Sequence, residues 1–298
     1  MLYNRQKILL ALLELFNRQL SAIQIQKYLF LFTRKQDIKA FDFVPYQYGC
    51  FSFQANQDIV TLTKNGYITK SENYCQLNQK QSGSYLMALD MFDQATLHDI
   101  KDNYGELTQD ELICYTYKVF PFYAIKSTIA DKLLSPEELQ AVEKQKRHFD
   151  TPQLFTIGYE GISLEEYVKR LIINDVHILC DVRKNAYSQK YGFSKAILQK
   201  ACEGVGVKYI HVPQLGIESN KRQDLCSQKD YDILFDEYER TTLKQNHEVL
   251  LFVRNLIDSD KRVALTCFEK DPKQCHRSRV AKALLALPNA RYTLKLLI

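Results

Sequence analysis

Two folds in series are predicted for this 298-residue chain: a mainly helical winged-helix module, then a Rossmann-like α/β domain with a mostly parallel sheet. Three observations predict this. Apolar residues recur at helical spacing through most of the first half. Past residue 150 the rhythm changes to short apolar runs alternating with helix-length amphipathic segments, the pattern of parallel strands joined by crossover helices. Between the two lies "KQKRHFDTPQ", a charged stretch running into a proline-containing turn. The expected organisation is a winged module over 1–80, a helical extension over 81–150 and the α/β domain over 151–298.

Taken in order, Ile8, Leu9, Leu12, Leu13 and Phe16 stripe a first helix. Ser21 is placed as the N-cap of a second, which carries Ile23, Ile25, Leu29, Phe30 and Phe32. Pro45 and Gly49 punctuate the stretch that follows. A third helix over about 52–64 stops at Asn65-Gly66, a left-handed terminator. "YITKSENYCQL" has two short alternating runs around residues 71–73 and reads as a hairpin. Three helices and then a two-stranded wing is the order of a winged helix-turn-helix. Further on, Ser135, Pro136 and Glu138 make a capping box with proline at the first helical position.

In the second half, "QLFTIGY", "VHILCDV", "KYIHVPQLG" and "RVALTCF" read as strands. "SLEEYVKRLIIND", with Ser163 and Glu166 as a capping box, "SKAILQKACEGVG", "DYDILFDEYERTTL", "EVLLFVRNLI" and "CHRSRVAKALLAL" read as helices.

Composition narrows the class. A chain 46% hydrophobic and 25% charged has the make-up of a globular protein with a sizeable core. No run of about 18 apolar residues exists, so no membrane span is expected. The first twenty residues are interrupted by Glu14 and lack a small-residue cleavage site, so they read as a domain helix rather than a signal peptide. A cytoplasmic location is expected. The eight cysteines are scattered, with Cys114, Cys180 and Cys202 in apolar runs, which fits reduced thiols better than a disulfide framework. Residues 1–150 carry 17 basic and 17 acidic side chains, so the net charge of +5 belongs to the second half. That excess favours phosphate-bearing partners there.

Ligands of open parallel sheets bind beyond the carboxyl ends of the strands. Those ends here carry Gly158-Tyr159-Glu160-Gly161, Asp181-Val182-Arg183, His211-Val212-Pro213 and Cys267-Phe268-Glu269, while the amino ends carry nothing comparable. Each member also has a plain structural reading. The glycines serve tight turns, Asp181 and Arg183 form an ion pair, His211 is a satisfied core group, and Cys267 is a small buried hydrophobe. Their joint placement on one edge is what marks the site. In "CFEKDPKQCHRSRVAKAL", the first turn of a helix coincides with Cys275, His276, Arg277 and Arg279. Free backbone N–H groups and two forked guanidinium groups there suit phosphate or carboxylate, and a thiolate at Cys275 would be favoured. Glu269 or His276 is the candidate acid or base. Cys267, Cys275 and His276 offer only three local zinc-type donors and no C-x-x-C pair, so no metal ligand is assigned. No cofactor is indicated.

The blocks "FTIGYEG", "CDVR", "SQKYGFSKAIL", "YIHVPQLG" and "CFEKDPKQCHRSRVA" resemble, in the same order, the domain-of-unknown-function family numbered 488. The resemblance covers residues 154–298 and implies a site at Gly158, Tyr159, Asp181, Arg183, His211, Glu269, Cys275, His276 and Arg277. Residues 4–77, through "LSAIQIQKYLFLF" and "FDFVPYQYGCFSFQANQDIVTLTKNGYI", resemble the helix-turn-helix region found in front of some such domains and are similar to the Panacea antitoxin-like family. That resemblance implies a module for nucleic acid or a protein partner, often in a phage-conflict setting. Lys27, Arg34 and Lys35 are its candidate nucleic-acid contacts, but a charge-neutral module favours a protein partner over tight phosphate binding.

Two functions are therefore expected in competition. In the first, the α/β domain processes a nucleotide or nucleic-acid end. Asp181, His211, Glu269, Cys275 and His276 are then the catalytic candidates, and Gly158, Tyr159, Glu160, Arg183, Arg277 and Arg279 bind the phosphate. In the second, the same pocket senses a ligand and controls DNA or protein binding by the winged helix.

Overall fold

The computed structural model describes residues 2–17, 19–78, 83–222 and 225–297. The chain forms two compact units, Met1–Lys146 and Arg147–Ile298. The module boundary expected at residues 80 and 81 lies outside the described residues. Among those described, no helix is long and apolar enough to cross a membrane.

The first unit opens with α1 (Asn4–Leu15), β1 (Gln19–Leu20) and α2 (Ala22–Lys35). Ser21 caps α2 as its sequence predicts: its Oγ accepts the Gln24 N–H at 3.0 Å, and the Gln24 side chain accepts the Ser21 N–H at 3.0 Å. Residues Ile8 to Leu13 are all fully buried, so α1 is enclosed on every side instead of showing one apolar stripe. Where Pro45 and Gly49 signalled only a turn, β2 (Val44–Tyr46) and β3 (Gly49–Phe51) pair as an antiparallel hairpin. Helix α3 (Phe53–Lys64) ends as expected. Gly66, at φ 74°, donates to the Thr63 carbonyl, and Tyr67 reaches back to Leu62 at 2.9 Å. Strands β4 (Ile68–Lys70) and β5 (Cys75–Leu77) form the second hairpin, and β1 extends it in the order β1-β5-β4. Helices α4 (Met91–Tyr104) and α5 (Gln109–Val119) pack on α2, and the short α6 (Ala130–Leu133) and α7 (Pro136–Glu143) complete the unit.

The second unit alternates as its rhythm predicts: β6 (Gln153–Gly158), α8 (Leu164–Ile173), β7 (Ile178–Asp181), α9 (Lys195–Glu203), β8 (Lys208–His211), α10 (Gln228–Tyr238), α11 (His247–Asp260), β9 (Arg262–Cys267) and α12 (Arg277–Leu285). A further strand, β10 (Thr293–Leu297), adds to the edge beside β6. All five strands are parallel, in the order β10-β6-β9-β7-β8. The connection from β6 passes over β9, and the connection from β9 passes back over β6. Right-handed crossovers send two such connections to opposite faces, which opens a crevice outside the carboxyl ends of β6 and β9.

The face partition decides the site. Leu154, Ile178, Cys180, Val182 and Leu265 pack against α10, α11 and α12. Successive residues of a strand alternate faces, so Ile157, Asp181, His211 and Thr266, which are register partners, point to the other side. That is where Tyr167 of α8 meets Phe193 edge-on at 5.3 Å. Ser163 caps α8 by accepting the Glu166 N–H at 3.1 Å. Ser163→Ala is expected to cost about 1 kcal/mol in a denaturant melt, with no change in the slope of the transition.

Candidate functional site at the carboxyl edge

The strand-end residues assemble into two clusters, one on each face of the sheet edge. On the α8–α9 side, Asp181 is fully buried. It accepts from the Arg183 Nε at 2.8 Å, from the Arg183 Nη2, from the Arg183 backbone N–H at 3.1 Å and from the Tyr209 hydroxyl at 2.6 Å. The remaining Arg183 Nη1 donates to the Tyr159 hydroxyl at 2.7 Å and to the Phe193 carbonyl at 2.8 Å. Tyr159 stacks on Phe193 with centroids 4.2 Å apart. Burial works against the Arg183 charge, but the hydrogen bonds and charge of Asp181 outweigh it and hold the guanidinium pKa above its usual value. Every arm of the Asp181–Arg183 pair is occupied. The pair therefore ties the ends of β6, β7 and β8 to the loop that carries Phe193.

On the α10–α12 side lie Cys267, Cys275 and His276, all buried. Cys267 ends β9, Cys275 closes the 3-10 turn Pro272–Gln274, and His276 starts α12. The Cys267 Sγ is 3.7 Å from the His276 Nδ1 and 3.2 Å from the Glu269 Oε2. His276 Nε2 is 2.9 Å from the Val182 carbonyl. A carbonyl only accepts, so Nε2 carries the hydrogen and the Nδ1 lone pair faces the sulfur. Burial pushes the Cys275 thiol well above its usual pKa, with Cys267 adding to the shift. Burial there opposes the thiolate that a helix amino terminus favours. Arg222 Nη1 donates to the Glu269 Oε1. Burial opposes ionisation of Glu269, yet Arg222 and the neighbouring thiols outweigh it and hold the carboxyl below the usual range.

The other expected residues take these places. Glu160 accepts the Lys270 backbone N–H at 2.9 Å. Gly158 lies so close to the Glu269 carbonyl that a Cβ there would sit 2.0 Å from its oxygen. Arg277 is buried and donates to the carbonyls of Glu269 and Lys270. Arg279 pairs with Glu239 at 3.0 Å and Asp232 at 3.6 Å. The N–H groups of Ser278 and Arg279 are already bonded to the Cys275 and His276 carbonyls. His211, half-buried, holds the Arg183 carbonyl through Nε2 at 2.9 Å. Tyr209, Phe193, Arg222 and Tyr238 were not foreseen. Tyr209 had a signal, lying two positions before His211 in the same strand and so on its face. Arg222 had none, because it reaches Glu269 across 47 residues of chain.

Residues 163–284 match DUF488, a domain of unknown function. No curated protein and no solved structure matches the chain. The DUF488 segment contains both halves of the paired chemistry, Asp181 with Arg183 and Glu269 with Cys267, Cys275 and His276. Gly158, Tyr159 and Glu160 precede it.

The DUF488 segment also encloses a polar cleft of about 420 Å³. It is lined by Lys184, which follows β7, by Gly216, which follows β8, and by Lys221, Glu237, Tyr238, Thr241, Thr242 and Asn246. The two threonines come from a π-helical turn, Glu239–Leu243, that continues α10, a distortion often found at functional sites. Lys221 is paired with Glu237 at 2.9 Å, whereas Lys184 is exposed and makes no ion pair among the described residues. Tyr238 is a shared wall: it lines the cleft, donates to the Leu215 carbonyl at 2.6 Å and meets the His276 ring edge-on at 5.8 Å.

The three N-terminal cations are engaged as well. Lys27 is buried, its ammonium donating to the carbonyls of Tyr48 and Cys50, and burial lowers its pKa. Arg34 lies 5.4 Å over the Phe120 ring, and Lys35 pairs with Asp99.

Proposed function

We propose that the C-terminal unit is an enzyme that processes a nucleotide or nucleic-acid end bound in the cleft at the carboxyl edge. One observation carries the reading: a polar cleft of ligand size shares its wall with the buried ionisable cluster. Tyr238 belongs to both. Lys221 lines the cleft while the next residue, Arg222, holds Glu269. In this reading Lys184 and Lys221 hold the phosphate, and the hydroxyl and amide groups of Thr241, Thr242 and Asn246 orient the rest of the ligand. His211 does not line the cleft; through Nε2 it holds the Arg183 carbonyl at 2.9 Å and so positions Lys184, the next residue. Asp181 and Arg183 position this edge; the phosphate role falls to the lysines that line the cleft, Lys184, which makes no ion pair among the described residues, and Lys221, whose partner Glu237 is exposed with it.

The test is a turnover screen of nucleoside mono-, di- and triphosphates and of single-stranded DNA and RNA. Lys184→Ala with Lys221→Ala is expected to raise KM, and His211→Ala, which releases the Arg183 carbonyl beside Lys184, to raise it by a smaller factor with kcat little changed. Wild-type protein that neither turns over nor is thermally stabilised by any of these compounds sinks the reading.

For the N-terminal unit, the order α1-β1-α2, then α3, then the β4–β5 hairpin with β1 supports a winged helix. The engagement of Lys27 and Lys35 supports a protein partner rather than the DNA backbone. An apolar pocket of about 270 Å³ beside α2 and α3, lined by Ile23, Tyr46, Phe51 and Ile59 among others, agrees with that.

A further inference from the structure

We infer that Cys267, Cys275 and His276 form a binding site for a zinc-class divalent ion, with the Glu269 carboxylate beside the fourth position. The local spacing, without a C-x-x-C pair, conceals the site in the sequence. One cysteine ends a strand, and the other donors lie beyond a seven-residue excursion, 268–274. The fold closes that excursion. Donor atoms of the three side chains all lie within 4.8 Å of one another. With Zn–S near 2.3 Å and Zn–N near 2.0–2.1 Å, tetrahedral ligands sit roughly 3.5–3.8 Å apart; the Cys267 Sγ to His276 Nδ1 separation is 3.7 Å.

The surroundings agree with a metal centre in three ways. The His276 Nε2–H is anchored on the Val182 carbonyl at 2.9 Å, the outer contact that orients a metal-binding imidazole through its other nitrogen. Glu269 Oε2, 3.2 Å from the Cys267 Sγ, offers a fourth donor or a hydrogen-bond acceptor for a bound water. Arg222, paired with Glu269, supplies the positive charge that leaves two thiolates, a carboxylate and a divalent ion close to neutral. Two sulfurs alone would equally fit a disulfide; a third donor aimed at them favours an ion.

This inference does not depend on the nucleotide reading, because metal content reports it and turnover does not. The 298-residue chain, purified without chelator and reconstituted with zinc, is expected to hold about one equivalent by elemental analysis. Exchange with cobalt is expected to give the intense visible bands of tetrahedral coordination and a thiolate-to-metal charge-transfer band. Cys275→Ser and His276→Ala should lose the ion, while Cys226→Ser, at an exposed cysteine away from the cluster, should keep it. If those variants do not fold, the wild-type cobalt spectrum decides alone, since its charge-transfer band reports thiolate ligation directly. Folded wild-type protein that takes up no zinc, a cobalt spectrum without charge transfer, or a Cys267–Cys275 disulfide in metal-free protein would overturn the proposal.

Discussion

Asp181→Asn is expected to destabilise the C-terminal unit by about 3–5 kcal/mol, because it leaves a buried guanidinium without its counter-charge. Asp181 is fully buried and Arg183 is 5% exposed. The carboxylate accepts from three groups of Arg183 and from Tyr209, and burial keeps bulk solvent from taking their place. Asparagine keeps the shape and one acceptor oxygen but adds an N–H group facing donors. Chemical denaturation of the wild type and variant measures the loss. The companion variant Arg183→Met abandons a buried carboxylate and should cost a similar amount. The double variant should recover a large part of the sum, since two like-sized uncharged side chains leave no charge to desolvate. An Asp181→Asn protein as stable as the wild type would show that the pair does not hold the three strand ends together.

Gly158→Ala is expected to be, with Gly216→Ala, among the most damaging single-methyl substitutions in the C-terminal unit. The new Cβ would meet the Glu269 carbonyl oxygen at 2.0 Å and its carbon at 2.8 Å, both backbone atoms, with the Arg277 Nη2 at 3.2 Å. No side-chain rotation relieves such a contact. The Glu269 segment must move, and with it the Arg277 bonds to the Glu269 and Lys270 carbonyls. Overpacking of about 1–3 kcal/mol is usual in cores, and a backbone-on-backbone clash belongs at or above the top of that range. Gly161→Ala is the control. It has open space around it and a φ of +79°, so it carries only a left-handed strain of about 1–2 kcal/mol. Equal melting temperatures for the two variants would refute the close-approach account of Gly158.

What could be read from the chain follows from the range over which each physical rule acts. Ser21 capping α2 and Gly66 stopping α3 are determined within four residues, and both are found where the sequence puts them. The alternation of strands and helices after residue 150 is equally local. Strand β10 was not anticipated: at the edge of the sheet, only its pairing with β6 distinguishes "TLKLL" from a tail.

The candidate residues were legible as a set, because side chains at strand ends need no partner to be noticed. Their division was not. Asp181 is in register with Thr266, one residue before Cys267, so the pleat turns the acid and the thiol to opposite faces. That depends on how two strands 80-odd residues apart align, which no local pattern encodes. The sequence by itself therefore determined which elements form and which titratable groups stand at their ends. Tertiary structure alone decided the strand order, the face each group takes, the arrival of Arg222 at Glu269 and the closing of Cys267 on Cys275 and His276. Caps and periodicity arise from contacts a few residues apart, whereas register and convergence come from long-range pairing.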